Sequence, residues 1–122
     1  SNLNYFYPDR SRLPLGVEDG RIQDSRITSS SRWNDYHGPR RARLNTCRTG
    51  RYVGAWSAAR NNPKQWLQID TGKVAILTAI ATQGRCRLRQ WVTRYLVAYS
   101  FNGIRFGFYK VRGKAKVNLQ IF

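Results

Sequence analysis

The sequence predicts an all-β domain, either a sandwich or a barrel. Three observations carry that prediction. Short runs rich in Ile, Val, Tyr, Trp and Thr are punctuated by clusters of Gly, Asn, Asp, Ser and Pro. An Asn102-Gly103 pair stands between two β-prone runs and suits a two-residue hairpin turn. No stretch sustains a helical period. At 122 residues the chain suits one domain, and it is long enough to bury roughly two-thirds of its unfolded surface around one core.

Taken in order, residues 1–13 are aromatic and polar without a period and read as a lead-in segment, and residues 14–122 read as the domain. The segment Gln65-Trp66-Leu67-Gln68-Ile69-Asp70 alternates, with Leu67 and Ile69 on one face. Asp70-Thr71-Gly72-Lys73 has turn chemistry. Residues 74–82 form a mostly apolar run, as expected of a strand covered on both faces. Residues 92–101 alternate again, with Tyr95, Val97 and Tyr99 on one side, and the Asn102-Gly103 turn joins them to a partner strand over residues 104–111. The longest apolar stretch, around residues 74–81, falls far short of the ~18 residues of a membrane span. The N-terminus lacks the basic start and apolar middle of a signal peptide, so the chain is expected to be a mature piece, a fragment or an intracellular protein.

The charge narrows the partners. Lys and Arg number 22 against 6 Asp and Glu, a net charge of +16. That excess favours nucleic acid, sulfated or sialylated glycan, anionic lipid or an acidic protein. Most of it is Arg, whose planar fork matches phosphate, sulfate and carboxylate better than Lys does. Cys47 and Cys86 are the only cysteines, and their number alone does not decide between thiols and a disulfide.

Catalysis is not expected. His37 is the only histidine, and no nucleophile elbow, phosphate loop or cysteine–histidine signature accompanies it. The six acids suggest no carboxylate pair across a cleft, because Glu18 and Asp19 precede Gly20 as turn residues. Two Cys and one His fall short of a zinc site, the acids form no calcium cage, and no cofactor is expected.

What remains is three loop-like segments that mix arginine with aromatic or apolar side chains. The first, residues 31–41, holds Trp33, Tyr36, Arg40 and Arg41. The second, residues 46–52, holds Arg48, Arg51 and Tyr52. The third, residues 83–90, holds Arg87, Leu88 and Arg89. Trp33 and Tyr36 suit a lipid interface or a sugar face. The competing reading of Trp33 is a side chain folded back on the scaffold. Leu88 sits at a tip and can enter an apolar phase. His37 reads as a hydrogen-bonding loop residue.

A run of ordered motifs then resembles one family. Pro14-Leu15-Gly16-Val17-Glu18-Asp19-Gly20-Arg21-Ile22 and Ile27-Thr28-Ser29-Ser30-Ser31 look like the discoidin opening, that of the coagulation factor five/eight C-type domains. Ala42-Arg43-Leu44-Asn45, Gly54-Ala55-Trp56, Asn62-Pro63-Lys64-Gln65-Trp66-Leu67-Gln68-Ile69-Asp70, Ala81-Thr82-Gln83-Gly84-Arg85 and Gln90-Trp91-Val92-Thr93-Arg94-Tyr95 follow in that family's order. The resemblance covers about residues 14–117. It implies a jelly-roll β-barrel or sandwich with three binding loops projecting from one end, where the three segments above fall. It also implies an extracellular or cell-surface setting, and partners among anionic phospholipid, glycan, collagen and other proteins. Trp56, Trp66 and Trp91 lie in its scaffold motifs and are expected in the core. Arg85 lies in a scaffold motif as well and is expected to pair with a buried acid. The family includes a member with a cysteine in each of the second and third loops, so the resemblance implies a Cys47–Cys86 disulfide and an oxidising compartment.

The sequence departs from the family at its ends. The cysteine that usually precedes the Pro-Leu-Gly opening is absent, and the strands expected after Val117 are missing. A truncated isoform, a fragment and completion by another chain all remain open. The leading functional expectation is an extracellular adhesion or lectin-like module that engages an anionic glycan or an anionic membrane surface through its loops. A module that binds an extracellular matrix protein is the alternative. Nucleic-acid binding ranks last, because no nucleic-acid motif accompanies the charge.

Overall fold

The computed structural model of the chain describes residues 2–4, 13–111 and 114–115. Eight short strands lie among them: β1 (Asn2–Asn4), β2 (Ile27–Ser29), β3 (Leu67–Ile69), β4 (Ala81–Gln83), β5 (Ala98–Tyr99), β6 (Gly107–Phe108), β7 (Lys110–Val111) and β8 (Lys114–Ala115). They pair antiparallel as four two-stranded sheets, β1–β4, β2–β3, β5–β6 and β7–β8. The described residues are all-β apart from three short 3-10 helices at Asp24–Arg26, Asp35–His37 and Pro39–Ala42. The described strands close no barrel. The strands expected after Val117 fall outside the described residues.

The central pair is β2–β3. Ile27 faces Ile69 and Ser29 faces Leu67, so the alternation read in residues 65–70 turns Leu67 and Ile69 inward, where both are buried. Main-chain bonds from Ser30 to Trp66 and from Asp70 to Arg26 lengthen the ladder at both ends. The Arg26 guanidinium meets the Asp70 carboxylate at 2.8 Å. Ile27, Leu67 and Ile69 join Val17, Ile22, Ala42 and Val97 in one core, with Leu15, Trp56, Leu77, Ile80 and Tyr95 packed against it. Two-stranded ribbons are weak on their own, so burial in this cluster carries most of the fold's cohesion, at ~25 cal/mol per Å² of apolar surface.

Three expectations need correction. The apolar run at residues 74–82 is a strand only at β4, where Asn4, Leu3 and Asn2 face Ala81, Thr82 and Gln83. Upstream of β4 no described strand pairs with it. It is not covered on both faces, since Val74 and Ile76 are 82% and 85% exposed. The Asn102-Gly103 pair does not make a two-residue hairpin. Tyr99 pairs with Gly107, which leaves residues 100–106 as the loop. Gly103 has a φ of +71°, but Asn102 is not in the left-handed region that the tight turn requires at both positions. Instead the Asn102 side chain accepts from the N–H groups of Ile104 and Arg105, and the Ser100 hydroxyl accepts from Gly103. Local side-chain bonds have replaced the ladder. Finally, the strand expected over residues 92–101 is confined to β5, with Val97 buried and Tyr99 half-exposed.

Candidate functional site

The first loop is shaped by its own polar residues. Asn34 caps the 3-10 helix Asp35–His37, its Oδ1 accepting from the Tyr36 N–H at 2.9 Å. The same oxygen lies 2.6 Å from His37 Nδ1. It can only accept, so the proton of the neutral ring sits on Nδ1. Burial first, and the nearby Arg85 charge second, hold the His37 imidazole below its ordinary pKa, so it is neutral at neutral pH. His37 is thus a loop hydrogen-bonder, as expected. Pro39 starts the next 3-10 helix, where its missing N–H costs nothing. Trp33 does not fold back: its main chain bonds to Ser57 while its side chain stays 66% exposed.

The second loop is fastened to the first. Val53 donates to the Tyr36 carbonyl and Ser57 to that of His37. The Tyr36 and Tyr52 rings meet edge to face at 5.6 Å, and the Arg40 guanidinium lies over the Tyr52 ring at 4.5 Å. Arg51 reaches the Tyr36 hydroxyl at 3.4 Å. Arg41 has a different job from its neighbour. It donates from Nε to the Val53 carbonyl at 2.7 Å and from Nη2 to the Cys47 carbonyl at 2.8 Å. Burial, with Arg40 alongside, lowers its pKa. Arg41 therefore braces the second loop from below, whereas Arg40, Arg48 and Arg51 are exposed.

The third loop is closed by the Arg85 N–H donating to the Gln90 carbonyl at 2.9 Å. Its turn puts Arg87 in the left-handed region, φ 60°, a conformation that costs an L-residue about 1–2 kcal/mol. Leu88 lies at the tip, 51% exposed, between exposed Arg87 and Arg89. Arg85 does not pair with a buried acid. Its guanidinium donates to the Gln90 side-chain oxygen at 2.9 Å, which leaves its charge uncompensated by that contact.

A Cys47–Cys86 disulfide joins the second and third loops, with 5.2 Å between the Cα atoms. Gly54 provides its seat. A Cβ there would lie 2.6 Å from the Thr46 carbonyl oxygen, 2.8 Å from Cys47 Cα and 3.1 Å from Cys86 Cβ, so only glycine fits without a shift. This requirement was not read from the sequence, where Gly54-Ala55-Trp56 stood only as a scaffold motif. The three loops thus meet through the disulfide, Arg41 and the tyrosine pair.

Charge is distributed unevenly over this end. Asp19, Asp24, Asp35 and Asp70 each pair with an arginine, respectively Arg21, Arg43, Arg32 and Arg26. Glu18 accepts from the Asn45 side chain at 2.6 Å. Of these acids only Asp35 belongs to a loop. Arg40, Arg48, Arg51, Arg87 and Arg89 meet no carboxylate among the described residues. No group of three or more His, Cys, Asp or Glu among the described residues is placed to hold a metal. No described helix is long and apolar enough to cross a membrane.

The scaffold tryptophans divide. Trp56 packs on the core and donates to the Ser31 carbonyl at 2.9 Å, anchoring the root of the first loop. Trp66 is half-buried. Trp91 is not a core residue: it is 63% exposed, following directly on the third loop.

The F5/8 type C domain family model matches residues 26–120. Coagulation factor V of Mus musculus is 50% identical over 97 residues, 75% of this chain and 4% of the relative. Retinoschisin of Mus musculus is 37% identical over 91 residues, 70% of this chain and 39% of the relative. Lactadherin of Rattus norvegicus is 36% identical over 112 residues, 85% of this chain and 26% of the relative. The chain therefore spans well under half the length of these relatives, which are secreted or cell-surface proteins. An all-β core, a braced set of three loops and this run of matches agree: the chain belongs to the F5/8 type C, or discoidin, family of β-sandwich domains, and it is a binding module rather than an enzyme.

Proposed function

We propose that this chain is an extracellular module that docks on an anionic phospholipid membrane through the tips of its three loops. The observation that carries the reading is the pairing of exposed apolar tips, Trp33 and Leu88, with arginines that meet no carboxylate among the described residues. Trp33 suits the headgroup level of a bilayer, where an amphipathic ring is favoured. Leu88 can lie among acyl chains, and burial of a leucine side chain contributes about 1.5–3 kcal/mol. Arg48, Arg51, Arg87 and Arg89 flank these tips, with Arg40 over the Tyr52 ring beside them. Each adds about 1 kcal/mol near an anionic surface. The disulfide and Arg41 hold the loops in place before contact, which lowers the ordering cost of binding. The domain that does this is taken as residues 14–122.

Co-sedimentation of the folded chain with phosphatidylserine-containing and pure phosphatidylcholine vesicles tests the reading. Binding is expected only with phosphatidylserine, and Trp33→Ala and Leu88→Ala are each expected to weaken it about tenfold or more. Vesicle binding that survives both substitutions would sink the insertion mechanism. If the folded chain ignores phosphatidylserine altogether, a matrix protein becomes the leading partner.

A further inference from the structure

Asn102 and Gly103 lie exposed in the loop between β5 and β6, and the bonds around them converge on one atom. The Asn102 side-chain oxygen accepts from the Ile104 N–H at 2.9 Å, the Arg105 N–H at 3.0 Å and the Ser100 hydroxyl at 3.1 Å. Two main-chain donors identify that atom as the oxygen, with Nδ2 on the other arm of the amide. To reach the N–H groups of Ile104 and Arg105, the side chain folds over the Gly103 peptide. The Gly103 N–H donates to the Ser100 hydroxyl oxygen at 2.9 Å. Gly103 has no Cβ to screen its nitrogen. Beyond its chain neighbours, the nearest heavy atom to the place a Cβ would take is Gln68 Nε2, at 3.9 Å. Of the chain's asparagines, only Asn102 precedes a glycine.

We propose that Asn102 is a site of spontaneous deamidation that its own loop promotes. The Gly103 nitrogen attacks Asn102 Cγ, and the new N–Cγ bond closes a five-membered ring. The Gly103 proton passes to solvent hydroxide, with the Ser100 hydroxyl in its path. The carbonyl electron pair moves onto Oδ1, where three donors meet the growing negative charge as an oxyanion hole does. Collapse of that intermediate breaks the Cγ–Nδ2 bond. Nδ2 takes a proton from water, which regenerates hydroxide, and leaves as ammonia. Water then opens the succinimide at either carbonyl and yields aspartate or isoaspartate. Each product adds one negative charge to residues 100–106, which hold no acid of their own. Isoaspartate also adds a carbon to the main chain that joins β5 to β6. None of these residues belongs to the three basic loops, so the site stands or falls independently of the membrane reading.

The test is ageing of the full folded chain at physiological temperature and neutral pH, read by cation-exchange chromatography, peptide mass mapping and an isoaspartate-specific methyltransferase assay. A less basic species with the amide-to-acid mass change at Asn102 is expected to accumulate, at a rate proportional to hydroxide. Asn102→Gln is expected to remove that species. The same chain unfolded in urea at the same pH is expected to convert more slowly at Asn102. Ser100→Ala is expected to slow conversion in the folded chain about fivefold, the worth of one donor. The comparison with urea needs no substitution, so it decides the matter even where Ser100→Ala disturbs the loop. Three results overturn the proposal: an Asn102 that stays intact while the chain is folded, conversion no faster folded than unfolded, or a Ser100→Ala variant that converts faster than the parent.

Discussion

Neighbouring arginines of the loops do unlike work, and the difference lies in what each guanidinium reaches. Arg41 spends its donors on two main-chain carbonyls, while Arg40 rests on an aromatic ring with its outer face in solvent. Arg87 is the most informative single residue, because its left-handed backbone favours glycine. Strain of that kind is retained where the side chain has a use. Arg87→Gly is therefore expected to leave stability unchanged or raise it by up to about 1 kcal/mol. The same change should weaken vesicle binding about fivefold, the equivalent of about 1 kcal/mol. Denaturant melts beside sedimentation check this. A stability loss above about 1 kcal/mol would make Arg87 part of the scaffold. None of this was legible in the Arg-Cys-Arg-Leu-Arg run, where every arginine looks alike until the backbone assigns its angle and its neighbours.

At the scale of the elements, the strands with a partner at short range in the fold were the readable ones. Leu67 and Ile69 announce their face by alternation, and β2–β3 buries them as read. The run at residues 74–80 has the same apolar character, yet Val74 and Ile76 stay exposed while Leu77 and Ile80 pack on the core, because composition cannot say whether a strand covers the second face. The two segments flanking Asn102-Gly103 pair as expected at β5–β6, but the tight turn between them does not form, because Ser100 and Asn102 offer local hydrogen bonds that compete with the ladder. The disulfide was legible only through family resemblance, and its dependence on Gly54 only through the structure. Gly54→Ala is expected to cost about 1–3 kcal/mol by pushing on Thr46 and Cys47. Reduction of the disulfide, which spans 39 residues, is expected to cost up to about 4 kcal/mol. Since both act on one seat, the two losses combined should fall short of their sum. Thermal melts of both proteins, oxidised and reduced, measure the shortfall. Strict additivity would show that Gly54 and the bridge are uncoupled.

For the whole molecule, the +16 charge is the largest long-range property, and it was fully readable from composition. What composition could not supply was its arrangement. Three of the described aspartates, Asp19, Asp24 and Asp70, pair with scaffold arginines, whereas Arg40, Arg48, Arg51, Arg87 and Arg89 in the loops meet no carboxylate among the described residues, so the positive field concentrates at the loops. Such a field governs encounter more than residence. Raising the salt from about 0.1 M to 1 M shortens the screening length from about 10 Å to about 3 Å. The association rate with phosphatidylserine vesicles should then fall by an order of magnitude or more, while the dissociation rate, set largely by the apolar tips, changes little. Stopped-flow mixing at the two salt concentrations separates the two rates. An association rate indifferent to salt would remove steering from the account.

The bracing of the loops by Arg41 and the Cys47–Cys86 bridge also divides labour along each loop. Roots are committed to main-chain partners, while the tips at positions 33, 48, 87, 88 and 89 carry little structural duty. A library randomised at those five positions should display many different paratopes on one frame. Secretion through an oxidising compartment would both close the bridge and select the frames that hold, which makes this end of the domain a natural chassis for engineered recognition.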